Sequence, residues 1–102
     1  QYAGNIPIKE DGASLFFWYF DAAPFAPHAD KLVVWLNGGP GCSSLYGSFV
    51  ENGPVAVHDN GSLSSNAFSW HKLANVLYIE QPINTGFSFG PAVDNVQNEL
   101  QV

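Results

Sequence analysis

Three glycines and a proline stand between an apolar run and a small polar cluster: Asn37-Gly38-Gly39-Pro40-Gly41 follows Leu32–Leu36 and precedes Cys42-Ser43-Ser44. Glycine admits positive φ and lets a ligand approach the backbone N–H groups closely. Successive N–H groups ahead of a helix form a concavity suited to negative charge. The loop is therefore built for an anion, permanent or transient, or it is a tight turn without chemistry. A phosphate loop fits poorly. Gly39–Ser44 matches G-x-G-x-x-G/A only in part, with Ser44 at the last small position and Pro40 removing a donor. A transient anion fits better: paired glycines after a strand supply an N–H donor to the tetrahedral intermediate of acyl transfer. The residues alone leave that cradle and the plain turn both open.

An oxyanion cradle needs a nucleophile. Gly86-Phe87-Ser88-Phe89-Gly90 spells G-x-S-x-G, but it reads as a decoy. A nucleophile elbow requires a strand running directly into the serine, whereas Pro82, Asn84 and Thr85 intervene after Glu80. In α/β-hydrolases the order is serine, acid, histidine, and His28, His58 and His71 all precede Ser88. Ser88 is expected to be a loop serine between two core phenylalanines. Ser43 and Ser44 are expected to cap a helix. The histidines have no metal-ligand spacing and read as loop or surface groups; no metal and no cofactor are expected. Cys42, the single cysteine, is either a reactive thiol or half of a structural bridge.

The elements that must position these residues follow from pattern. Tyr2–Ile8 and Leu15–Phe20 read as strands with Asp11-Gly12 as their turn, and Asp21–Asp30 as a loop. Leu32–Leu36, wholly apolar with two adjacent valines, reads as a strand buried on both faces, as in a parallel sheet. Cys42–Val50 is expected to be a short helix, Pro54–His58 a strand turning at Asp59-Asn60-Gly61, and Val76–Glu80 a strand stopped by Pro82. After a loop, Val93, Val96 and Leu100 fall at helical spacing. Helices following buried strands define an α/β fold, with function in loops beyond strand carboxyl ends, where Asn37–Gly41 lies.

A chain of 102 residues holds at most one domain, and 46% hydrophobic with 12% charged residues is a globular balance. The net charge of −6, with three lysines and no arginine, argues against nucleic acid and against an anionic membrane surface. The apolar runs are far shorter than the roughly 20 residues of a spanning helix. There is no methionine, and the closing helical pattern lacks a stop signal. Both suggest a segment of a longer polypeptide, so residues 1–102 are expected to form the N-terminal portion of one domain.

Together these stretches resemble the serine carboxypeptidases: WLNGGPGCSS, then Glu51–Pro54 (ENGP), then Phe68–Pro82 (FSWHKLANVLYIEQP) and Thr85–Gly90 (TGFSFG), behind an opening YAGNIPI and FFWYF. The motifs run in family order over nearly the whole chain, and YAGNIPI with EQPINTGFS is most similar to fungal members, including the prohormone-processing branch. The resemblance implies an α/β-hydrolase sheet, antiparallel in its first strands and parallel after, and removal of C-terminal residues from peptides or proteins at acid pH. It implies that Gly39 gives an oxyanion N–H, with Gly38 shaping the turn. Asn37 would bind the substrate carboxylate, and Glu51 and Trp35 would belong to the hydrogen-bond network behind it. Cys42 would pair with a cysteine outside this sequence. The family's nucleophile, acid and histidine lie beyond this stretch, so the segment alone is expected to hydrolyse nothing, and its partner is the remainder of its own polypeptide. An acyltransferase on the same scaffold and a non-catalytic truncated product are the other readings; proline-specific aminopeptidases carry His where Asn37 stands. The family also implies the secretory pathway, secreted or vacuolar, and Asn60-Gly61-Ser62 is an N-glycosylation sequon on an expected turn.

Overall fold

The computed structural model describes residues 1–101. Strands β1 (Tyr2–Pro7), β2 (Ser14–Phe20), β3 (His28–Trp35) and β6 (Ala74–Ile79) form one sheet in the order β1-β2-β6-β3. The strands β4 (Val55–Val57) and β5 (Leu63–Ser65) form a separate hairpin. β1 and β2 pair antiparallel, with Gly4 opposite Phe17. Their turn uses Gly12 at φ +93°, while Asp11 Oδ1 accepts from Ala13 N at 3.1 Å. That is the conformation Asp-Gly favours, because the aspartate mimics a backbone acceptor and glycine has no Cβ to clash.

The inner strand β6 organises the rest. It runs antiparallel to β2, with Phe20 opposite Val76, and parallel to β3, with Trp35 opposite Tyr78. Its residues alternate buried and half-buried, so Ala74, Val76 and Tyr78 share the core face. Phe20, Leu45, Val76 and Tyr78 form the core, with Phe16, Trp18, Trp35 and Phe49 packed around them. Leu45 comes from helix α1 (Ser44–Gly47), which continues into a π-helical turn over Ser48–Asn52. Aromatic edges fill the gap between sheet and helix: Phe20 meets Tyr78 edge-on at 5.9 Å, and Trp18 meets Phe49 at 5.7 Å.

The Tyr78 hydroxyl is fully enclosed and donates to Asn52 Oδ1 at 2.9 Å. Burial pushes its pKa up to about 12. The unfolded group ionises near pH 10. Its contribution is therefore complete below pH 10 and lost as pH rises through about 12. Tyr78→Phe is expected to cost about 1 kcal/mol at neutral pH, the worth of one hydrogen bond, and to flatten the alkaline part of the stability profile. Urea midpoints measured against pH for both proteins check this; parallel profiles contradict it.

Four sequence expectations change. The run Leu32–Leu36 is not buried on both faces: Leu32, Val34 and Leu36 are each about half exposed. β3 has β6 on one side only and is a sheet edge, so only Val33 and Trp35 are half-buried, Trp35 against the core beside α1. The strand also begins earlier than expected, at His28, with an irregularity between His28 and Leu32. The expected terminal helix is instead two single 3₁₀ turns, Ala92–Asp94 and Glu99–Gln101, with extended backbone at Asn95 between them. An isolated helix this short is marginal in water, and Val93 and Leu100 face solvent rather than a surface that could hold one. Finally, Phe87 and Phe89 are exposed and not core.

Candidate functional site

The glycine loop leaves β3 at Trp35 and enters α1 at Ser44, and side chains from both ends close it. Asn37 N donates to Ser44 Oγ at 3.1 Å, and Ser44 is completely buried. The Trp35 indole N–H donates to Asn37 Oδ1 at 2.6 Å. An indole nitrogen is a donor only. It therefore fixes which end of the Asn37 amide is oxygen, and the Nδ2 donors turn away from Trp35. The floor beneath both is Gly47: a Cβ there would lie 2.4 Å from Trp35 Nε1 and 2.6 Å from Asn37 Oδ1. Trp70 backs the indole edge-on at 5.3 Å.

Between these anchors the backbone of Gly39 takes φ +138° and that of Gly41 φ +92°. A Cβ at Gly39 would lie 3.0 Å from Cys42 N and 3.1 Å from Gly41 N. The backbone nitrogens of Gly41 and Cys42 thus pack close against Gly39. Among the described residues, no backbone acceptor meets the N–H of Gly38, Gly39, Gly41 or Cys42. An open cleft of about 310 Å³ runs along Pro40 and Gly41, with Pro82, Asn84 and Thr85 on its other wall. A second hollow, of about 340 Å³, lies between the end of β1 and Val93–Val96 and touches neither Trp35 nor Asn37.

Behind the loop stands Glu80, fully buried at the end of β6. Its Oε1 accepts from the hydroxyl of Ser43, the N-cap of α1, and from Leu45 N at 3.4 Å. Its Oε2 accepts from Phe87 N on the opposite loop. Gly86, at φ +55°, makes room for it: a Cβ there would sit 1.5 Å from Oε2.

The other singled-out residues lie apart. Glu51 is exposed in the π-helical turn; its backbone carbonyl accepts from Asn66 Nδ2 at 3.2 Å, and no hydrogen bond joins its carboxylate to Trp35 or Asn37. Cys42 is a free, exposed thiol at the lip of the loop. Asn60 sits exposed in the β4–β5 turn, where its Oδ1 accepts from Ser62 N at 3.0 Å. Ser88 is buried, donates to the Glu80 carbonyl and accepts from Phe16 N at 2.8 Å. Both contacts are structural, as its rejection as a nucleophile requires. Two serine–histidine contacts exist among the described residues: an exposed one, Ser64 Oγ to His58 Nε2 at 2.8 Å, and Ser69 Oγ to His71 Nδ1 at 2.6 Å. Ser69 is buried, and burial followed by the neighbouring Lys72 lowers the His71 pKa. No carboxylate orients that ring among the described residues.

Sequence reasoning missed Gly47, Ser44's tie to Asn37, Glu80 and Gly86. A glycine inside an expected helix is a signal of close approach, and Gly47 was visible that way. Nothing local distinguishes Glu80 from any polar residue ending a strand.

Comparison with known proteins places nearly the whole chain among similar sequences and beside a similar structure. The sequence model of the serine carboxypeptidase family matches residues 1–101. A carboxypeptidase Y homolog A of Sclerotinia sclerotiorum is 45% identical over 96 residues, which are 93% of this chain and 17% of that protein. A carboxypeptidase Y homolog of Arthroderma benhamiae is 53% identical over 85 residues, covering 82% of this chain and again 17% of the relative. The crystal structure of a prohormone-processing carboxypeptidase from Saccharomyces cerevisiae superposes with a TM-score of 0.74 at 41% identity, over 89% of this chain and 21% of that one. A mixed sheet with few helices thus fits the fold of that carboxypeptidase. The chain belongs to the serine carboxypeptidase family, and it spans about one-sixth of the length of these fungal relatives.

Proposed function

We propose that this chain is the N-terminal portion of a serine carboxypeptidase domain with an α/β-hydrolase sheet, and that it carries the oxyanion and carboxylate-recognition side of the active site. The observation that carries the reading is the Trp35–Asn37 hydrogen bond. It presents the Asn37 amide N–H groups as preoriented donors beside a loop of unpaired backbone N–H groups. Donors fixed before substrate arrives cost no reorganisation in the transition state. In this reading Asn37 binds the C-terminal carboxylate of a peptide. Gly39 N–H stabilises the tetrahedral oxyanion, and Gly38 shapes the turn between them. Glu51 joins on the outer side of the carboxylate site.

The sheet supports the fold assignment, since its first strands are antiparallel and β3 and β6 are parallel. The uncovered side chains of Leu32, Val34 and Leu36 meet further polypeptide of the same protein, which also supplies the nucleophile, acid and histidine. The exposed Cys42 pairs there with a second cysteine. Asn60, exposed on a turn, carries a glycan in a protein of the secretory pathway, secreted or vacuolar. No helix among the described residues is long and apolar enough to cross a membrane.

The test is hydrolysis by the full-length protein of an N-blocked dipeptide with a free C-terminal carboxylate, compared with the same dipeptide amidated. The free acid is expected to be strongly preferred. Asn37→Ala is expected to raise KM for the acid by about 10-fold, the loss of one charge-assisted hydrogen bond, with a much smaller effect on kcat. Equal rates on acid and amide would refute carboxylate recognition. Residues 1–102 alone are expected to turn over neither substrate and to take up no serine-directed fluorophosphonate.

A further inference from the structure

We propose that the buried carboxylate of Glu80 is a positioning residue for the oxyanion loop, an inference that rests on the reading of Gly38 and Gly39 given above. Glu80 is fully enclosed, and no lysine or histidine forms an ion pair with it among the described residues. Burying an unpaired carboxylate is expensive unless every lone pair is used. Here both oxygens are occupied, and they are occupied by two different loops. Oε1 takes the Ser43 hydroxyl and Leu45 N from the glycine-loop side, and Oε2 takes Phe87 N from the Thr85–Gly90 side.

Carboxyl oxygens are acceptors, and the three groups that reach them here are all donors, drawn from two loops. Gly86 completes the enclosure, because any Cβ there would occupy the position of Oε2.

The consequence falls on Gly39. The loop has two ends. Its first is held by the ties of Asn37 to Trp35 and Ser44. Its second is held at Ser43, and Ser43 is held by Glu80. Gly41 and Cys42 alone separate that anchor from the Gly39-Pro40 segment. Moving Ser43 therefore shifts the N–H of Gly39, while the side-chain amide of Asn37 keeps its own tie to Trp35. Glu80 acts on the reaction through the loop without touching substrate. Its removal should separate the two functions of the site, impairing stabilisation of the oxyanion and sparing recognition of the carboxylate.

The experiment is steady-state kinetics of Glu80→Gln in the full-length protein on the blocked dipeptide. Glutamine keeps the volume but presents an N–H₂ group to one of the two loops. A misplacement of about 1 Å can cost roughly 100-fold, so kcat is expected to fall by about 10- to 100-fold, with KM within about 2-fold of wild type. Ser43→Ala is the second variant, for use whether or not Glu80→Gln folds. It is expected to lower kcat in the same sense, and Ser43→Thr, which keeps the hydroxyl, to restore most of it. In the double variant the two losses are expected to be less than additive, because they break one hydrogen bond. Wild-type kcat in a folded Glu80→Gln or Ser43→Ala protein overturns the proposal, as does a loss that appears equally in the KM for the acid. If the wild-type protein hydrolyses no peptide, the peptidase reading itself has failed. The tie is then judged by amide hydrogen exchange. Faster exchange at both Leu45 and Phe87 in Glu80→Gln supports Glu80 as the anchor of the two loops, and unchanged exchange overturns it.

Discussion

Replacing Gly86 by alanine is expected to destabilise the protein by about 3 kcal/mol or more, the range reserved for buried networks that are broken outright. Two costs add. The backbone at φ +55° carries a penalty of about 1–2 kcal/mol for any residue with a Cβ. The new Cβ would also lie 1.5 Å from Oε2 and 2.1 Å from Cδ of Glu80. Although a carboxylate is the far end of a flexible side chain, Glu80 has no exposed surface and so no direction in which to yield. It must give up the hydrogen bond from Phe87 N, leaving a carboxyl oxygen and an N–H both buried and unpaired. Urea denaturation of the full-length protein measures the loss; a change below about 1 kcal/mol would mean that the enclosure is softer than drawn. The mechanism has a second signature. In a Glu80→Ala background the space for the methyl group exists, so most of the added cost of Gly86→Ala should vanish, leaving the backbone term.

The second large effect is expected in activity. Gly39→Ala should lower kcat of the full-length protein by about 100- to 1,000-fold, the usual consequence of losing an oxyanion donor. At φ +138° the position is closed to side chains, and the Cβ would crowd Cys42 N at 3.0 Å, Gly41 N at 3.1 Å and Cys42 Sγ at 3.2 Å. Two of these are backbone atoms, so relief comes only by moving the loop's N–H groups. Asn37 is tied independently to Trp35 and Ser44, so inhibition by a free-carboxylate product should change little. A variant that melts normally and keeps kcat within about 3-fold of wild type would remove Gly39 from the oxyanion role.

Much of this protein is written locally. The Asp11-Gly12 turn, the Asn60-Gly61 turn and the Ser43 cap depend on neighbours a few residues apart, and the sequence alone determined all three. The same holds for strands β1, β2, β4 and β6, whose run lengths and breakers bound them to within about two residues. The position of the glycine loop after an apolar strand, and the family to which the motifs point, were equally legible. Tertiary structure decided what depends on partners distant in sequence. The apolar run Leu32–Leu36 encodes burial on both faces, yet β3 is an edge because only β6 lies beside it in this chain. Val93, Val96 and Leu100 carry helical spacing, but spacing yields a helix only where a surface receives the apolar stripe. Glu80 reads as an ordinary strand-end residue until the fold brings Ser43, 37 positions away, and Phe87, 7 positions away, onto its two oxygens. The Asn37 amide is oriented by an indole two residues earlier, which proximity alone does not reveal, since it depends on Gly47 leaving room beneath both side chains. Local patterns report the energetics of a few neighbouring residues, whereas burial and the pairing of buried charge are properties of the assembled chain.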